Sequence, residues 1–158
     1  MTTSDPFLKE DFRVLTPEAF DFVLNNELKR AVRSQNFLTL LVVEPMPRHP
    51  ERVAQAEVLR EVARVVSREV RETDLLSQTT DGQLSVVLLD SDLHNSMQVV
   101  GRLVARFQHY EFATPVVVEV GAATCPTDGA DAETLRRAAE ARPVHPRRDD
   151  RGNASNAQ

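Results

Sequence analysis

The stretch RETDLLSQTTDGQLSVVLL, residues 71 to 89, carries the side chains best suited to chemistry. Arg71 and Asp74 stand three positions apart at its start, and a polar turn containing Thr80, Asp81 and Gly82 follows. A guanidinium can hold a phosphate through two parallel N–H bonds, and a carboxylate accepts N–H hydrogens or binds a hard cation. Plainer roles stand beside these. An Arg and an Asp at i, i+3 near a helix end form an ordinary surface ion pair, and a cation there suits the helix dipole. An Asp in an Asp-Gly turn is first of all a turn former. The remaining reactive residue types point away from a site. His49, His94, His109 and His145 lie in different segments with no ligand spacing, which argues against a metal centre. Cys125 has no neighbouring base motif and reads as a structural thiol.

The elements that must position these residues are legible from periodicity. In LTPEAFDFVLNNELKRAVRSQ, Thr16 is an N-cap, Pro17 takes the first helical position, and Phe20, Val23, Leu24, Leu28 and Ala31 recur at helical spacing. FLTLLVVE, residues 37 to 44, is a continuous apolar run that suits a strand buried on both faces. A proline-broken loop, PMPRHP, separates it from a second helix whose stripe is Val58, Leu59, Val62, Val65, Val66 and Val70. DLLSQ and QLSVVLL, joined through the Asp-Gly turn, predict a hairpin. A third helix covers DSDLHNSMQVVGRLVARFQHY, a strand covers residues 115 to 124, and AETLRRAAEA is a short last helix. From Arg142 onward the chain is polar and proline-broken, and disorder is expected there. The order α-β-α-β-β-α-β-α predicts an α/β sandwich with an antiparallel pair in its sheet.

The chain has 158 residues and a net charge of -5, which suits one domain and offers no positive field for nucleic acid. The basic cluster RRAAEARPVHPRR reads as a solvated helix end and tail. A single cysteine suits a reducing compartment. Residues 1 to 12 hold no apolar core of signal-peptide length, and no apolar run nears the roughly 18 residues of a membrane span. The expectation is a cytoplasmic protein that binds neither membrane nor nucleic acid.

The quoted stretch resembles the diguanylate cyclase, or GGDEF, family of bacterial signalling domains. Arg71 and Asp74 match the Arg-x-x-Asp of that family's inhibitory site, which binds cyclic di-GMP. Five residues later, TDGQL, residues 80 to 84, stands at the signature position. The segment from Leu15 looks like the family's opening, EVLREVARVVSREVRETD like its long helix, and VEVGAATCPTDGADAETLRRAAEA like its SIGVA strand, P-x-DG loop and last helix. The resemblance covers residues 15 to 141, with an N-terminal extension over 1–14 and a tail over 142–158. It implies the cyclase-like three-layer sandwich, a central mixed sheet of about five strands flanked by helices.

The resemblance also shows what has changed. The family condenses two GTP molecules with divalent metal held by carboxylates. Thr80 and Asp81 stand at its two glycine positions, Gly82 and Gln83 at its acidic positions, and Leu84 at its phenylalanine. Val43 or Glu44, depending on register, replaces the metal-binding Asp of the first strand, and Ala56 replaces an Asp before the long helix. Side chains therefore enter where nucleotide needs room, and oxygen ligands leave where metal needs them. Cyclase activity, a metal and a cofactor are not expected. Counting forward from the signature brings Arg102 to the position of a further inhibitory-site arginine. Two Arg and one Asp suit a guanine dinucleotide: guanidinium faces phosphate or the O6/N7 edge, and carboxylate accepts from the guanine N–H groups. The reading is an inactive GGDEF-like signalling domain that acts by binding, with a cyclic di-GMP site at Arg71, Asp74 and Arg102. The alternatives are a protein-interaction module, docking a partner or a second copy as a homodimer with the nucleotide site vestigial, and residual activity on GTP.

Overall fold

The computed structural model describes residues 14–49, 51, 55–79 and 82–144. Thr80 and Asp81, the extension before Val14 and the tail from His145 lie outside the described residues. The elements run β1 (Val14–Leu15), α1 (Pro17–Ser34), β2 (Leu38–Pro47), α2 (Gln55–Glu69), β3 (Leu75–Gln78), β4 (Leu84–Leu89), α3 (Leu93–His109), β5 (Val116–Cys125), α4 (Ala132–Ala141) and β6 (Pro143–Val144).

Local chemistry sets the helix ends. Thr16 Oγ1 accepts the Ala19 N–H at 3.2 Å, Pro17 opens α1 without wasting a donor, and Gln35 closes the helix in the left-handed region at φ 58°. Asp92 and Asp131 cap α3 and α4 by accepting the N–H groups of Asn95 and Thr134, each at 2.9 Å. Hydrogen bonds from Thr134 hold the Asp131 carboxyl below the ordinary aspartate range.

The strands form one mixed sheet in the order β1-β3-β4-β2-β5-β6. Only β1 and β3 run parallel; the other neighbours are antiparallel. The expected alternation holds, with a two-residue strand added at each edge of the sheet. Val14, assigned to the extension, and Pro143 and Val144, assigned to the tail, turn out to pair in these edge strands. Two residues carry no alternation to read, so periodicity could not reveal them.

The continuous apolar run of β2 is explained by a sheet covered on both faces. Leu38, Leu40 and Val42 join Phe20, Leu24, Leu28, Ala123 and Leu135 in one core, beneath α1 and α4. Leu41 and Val43 join Val58, Leu59, Val62, Val66, Leu103 and Phe107 in the other, beneath α2 and α3. The valine stripe of α2 is thus core. Gly121 lets α4 lie directly on the sheet: a Cβ there would fall 1.9 Å from the Ala139 carbonyl oxygen.

A buried hydroxyl cluster fixes the start of α3. Thr39 Oγ1 donates to the Ser91 carbonyl at 3.0 Å and meets Ser96 Oγ at 2.6 Å and Thr124 Oγ1 at 2.8 Å. Every member has a partner, so the cluster leaves no buried hydroxyl unsatisfied and ties α3 to β2 and β5. No helix among the described residues is long and apolar enough to cross a membrane.

Candidate functional site

The chain leaves α2 at Glu69 and turns back into β3. Asp74 N–H bonds the Arg71 carbonyl at 3.0 Å, which closes that turn. Asp74 is 3% exposed. Its Oδ2 accepts the Arg71 backbone N–H at 2.9 Å, and its Oδ1 accepts the Leu89 N–H at 3.1 Å. The Arg71 guanidinium lies 3.7 Å from Asp74 Oδ2 and donates from Nη2 to the Leu89 carbonyl. The β3–β4 ladder stops at Leu75↔Val87. Beyond it, the two side chains do for Leu89 what a longer β3 would have done. Asp74 therefore spends most of its acceptor capacity on the fold, whereas Arg71 keeps 60% of its side chain exposed.

Arg102, projecting from α3, reaches the same end of α2. Its Nη2 donates to the Glu69 carbonyl at 3.1 Å, and its Nε lies 3.5 Å from Glu69 Oε1. A cation at a helix C-terminus meets carbonyls without intrahelical partners and the negative end of the dipole. One turn along α3, Arg106 Nε donates to Glu69 Oε2 at 2.9 Å. The two arginines are 54% and 67% exposed, while Glu69 is 13% exposed beneath them. The structure thus brings Arg71 and Arg102 to one end of α2, the second through contacts with a residue two positions before the first. Glu69 and Arg106 belong to this cluster and were not among the expected site residues. The i, i+4 spacing of Arg102 and Arg106 shows that they share a helix face. Nothing local in the sequence names Glu69, more than thirty residues earlier, as their partner.

The other end of the hairpin is the signature region. Thr79 and Gln83 close it: Thr79 N–H bonds the Gln83 carbonyl at 2.9 Å. Gly82 adopts φ +80°, and the Gln55 side chain packs over its bare face, with Nε2 2.7 Å from where a Cβ would stand. Leu84 is fully buried. Val43 pairs with Leu84 inside the core, and the next residue, Glu44, carries the side chain that meets Gln83. Gln83 Nε2 donates to Glu44 Oε1 at 3.3 Å, so an amide donor meets the carboxylate. Across β5, Glu119 stands directly opposite Glu44. Among the described residues, no group of three or more His, Cys, Asp or Glu could hold a metal ion. Cys125 is buried, and desolvation pushes its thiol up.

No protein-family model matches the sequence, and no curated protein matches it. Solved structures do. The GGDEF domain of YfiN from Pseudomonas aeruginosa superposes with a TM-score of 0.72 at 18% identity, covering 81% of this chain and 86% of that one. The coiled coil and GGDEF domain of DgcB from Caulobacter crescentus, in complex with c-di-GMP, matches with a TM-score of 0.69 at 14% identity over 88% of this chain and 77% of that one. The diguanylate cyclase SiaD of Pseudomonas aeruginosa, in complex with its activator SiaC, matches with a TM-score of 0.68 at 18% identity over 87% of this chain and 55% of that one. At such identities the likeness is one of architecture, and this chain has the fold of the GGDEF domains of diguanylate cyclases.

Proposed function

We propose that this chain is a catalytically inactive GGDEF-like signalling domain that works by binding, and that its ligand is a guanine dinucleotide, cyclic di-GMP, at Arg71 and Arg102. The carrying observation is the contrast between the two ends of the hairpin. At the signature end, Gln83 gives an N–H to Glu44 where metal would need a second oxygen ligand. At the other end, Arg71 follows the C-terminus of α2 in the chain, Arg102 reaches that terminus from α3, and each keeps more than half of its side chain exposed. Guanidinium groups so placed suit phosphodiester or the guanine O6/N7 edge. Asp74 enters this reading chiefly as the residue that orients Arg71, because its oxygens already hold two backbone N–H groups. The DgcB structure, in complex with c-di-GMP, makes that nucleotide the natural probe.

Isothermal titration with cyclic di-GMP tests the reading. Heat at micromolar nucleotide, lost in Arg71→Ala, is expected; no heat in the wild-type protein removes it. Incubation with GTP and magnesium or manganese, followed by chromatography, tests inactivity, and a cyclic dinucleotide product would refute it.

A second reading, a protein-interaction module, draws on Leu93 and Met97. These apolar residues lie one turn apart on α3 and are 51% and 40% exposed. SiaD is seen in complex with an activator protein. Partner capture without nucleotide, abolished by Leu93→Ser with Met97→Ser, would favour this reading over the first.

A further inference from the structure

We propose that Glu69 is an internal competitor for the anion site, so that an incoming phosphate must take Arg102 and Arg106 from its carboxylate. The inference rests on the reading that this cluster takes a guanine dinucleotide, and it adds a regulator and a third cation to it. Carboxylate and phosphate bind guanidinium through the same N–H groups. Glu69 uses both of its oxygens in this way, Oε1 facing Arg102 Nε at 3.5 Å and Oε2 accepting from Arg106 Nε at 2.9 Å. The Glu69 side chain is 13% exposed, and the two arginine side chains are 54% and 67% exposed. Each guanidinium carries five N–H donors, so neither is exhausted by Glu69.

Glu69 is only 13% exposed, so taking its arginines away strands a part-buried carboxylate, and that cost is what a phosphate has to overcome. Arg102 stays anchored through the Glu69 carbonyl when its carboxylate contact is lost, so it need only rotate its guanidinium. Arg106 has one contact to give up, and its position one turn from Arg102 puts it on the same face toward the ligand. A negative Glu69 also remains beside the bound phosphate, and that like charge opposes binding. The opposite role, in which Glu69 holds the arginines ready for the ligand, predicts the opposite sign.

The test is calorimetric titration of cyclic di-GMP into the full chain as wild type, Glu69→Gln, Glu69→Gln with Arg106→Ala, and Glu69→Asp, with thermal melting to confirm folding. The amide of Glu69→Gln keeps the side-chain shape and removes the charge, so affinity rises by about tenfold. Adding Arg106→Ala cancels most of that gain. Glu69→Asp, which keeps the charge on a shorter stem, gives a smaller gain and serves the comparison if Glu69→Gln melts early. Wild-type binding with equal or weaker binding in the Glu69 variants overturns the competitor role and leaves the nucleotide reading standing. Binding in Glu69→Gln with none in the wild type supports the competitor role and removes the reading of the unaltered chain as a receptor, which separates the two. No binding in any of the proteins removes the nucleotide reading and this inference together.

Discussion

The Asp74 carboxylate accepts the backbone N–H of Leu89 at 3.1 Å, fifteen residues away and just past the end of the β3–β4 ladder. The same carboxylate accepts the Arg71 N–H at 2.9 Å, and it is almost wholly buried. An Arg-x-x-Asp that looks from sequence like a ligand motif is therefore also a clasp on the fold, with the guanidinium holding the Leu89 carbonyl.

Asp74→Ala should consequently lower stability by about 2–4 kcal/mol, since two backbone donors lose their acceptor and each such loss costs about 1–2 kcal/mol. Asp74→Asn keeps one acceptor oxygen and should cost about half as much. Urea unfolding followed by circular dichroism checks both. An Asp74→Ala protein as stable as the wild type would show that the clasp contributes nothing. Loss of ligand binding in Asp74→Ala would be ambiguous for the same reason, which makes Arg71→Ala the cleaner probe of recognition.

Gln83→Glu should destabilise the hairpin in metal-free buffer. Glu44 would exchange its amide donor for a like charge while already standing opposite Glu119 on β5. Lost hydrogen bond and added repulsion together cost about 1 kcal/mol. Three carboxylates would then share one end of the sheet, so millimolar magnesium or manganese should restore part of the lost melting temperature in Gln83→Glu and leave the wild type unmoved. A melting curve of Gln83→Glu insensitive to both charge and metal would refute this account.

Two glycines predict opposite outcomes for the same substitution. Gly121→Ala places a methyl group 1.9 Å from the Ala139 carbonyl oxygen, a backbone atom that only a shift of α4 could move. A loss of about 1–3 kcal/mol, typical of overpacking, is expected. Gly101 lies within α3, with nothing within 4 Å of its would-be Cβ, so Gly101→Ala should gain about 0.5–1 kcal/mol from helix propensity. Thermal melting of the two single variants checks both signs.

Most of the fold was legible because it is written in long periodic segments. The stripe of α2, the doubly buried β2 and the Thr16 cap each carry a local signal. The edge strands β1 and β6 are two residues long and carry none. The candidate site was legible only in part. Arg71 and Asp74 stood out by spacing and Arg102 through the family resemblance, but their partners Leu89 and Glu69 are fixed by how α3 and β4 pack on α2 and β3. Likewise, the choice between Val43 and Glu44 turns on strand register, and a one-residue slip would move every side chain to the other face.

Cys125 offers a test of how tightly the end of β5 is held. It is wholly buried in the core beneath α1 and α4, and desolvation raises its thiol above the ordinary value of 9.0. The thiol should remain protonated and inert to iodoacetamide at pH 7 to 8 in the folded protein, and react at once in denaturant. The sign of the linked stability effect follows. The folded state keeps this proton more firmly than the unfolded chain does, so the contribution is complete below about pH 9 and is lost as pH rises through the elevated folded value. Mass spectrometry of native protein after alkylation reads the first effect, and urea midpoints from pH 8 to 10.5 for wild type and Cys125→Ala read the second. Rapid native alkylation would mean that β5 opens locally far more easily than its packing under α4 implies. A Cys125→Ala protein whose midpoint falls above pH 9 as steeply as that of the wild type would assign the alkaline loss to other groups.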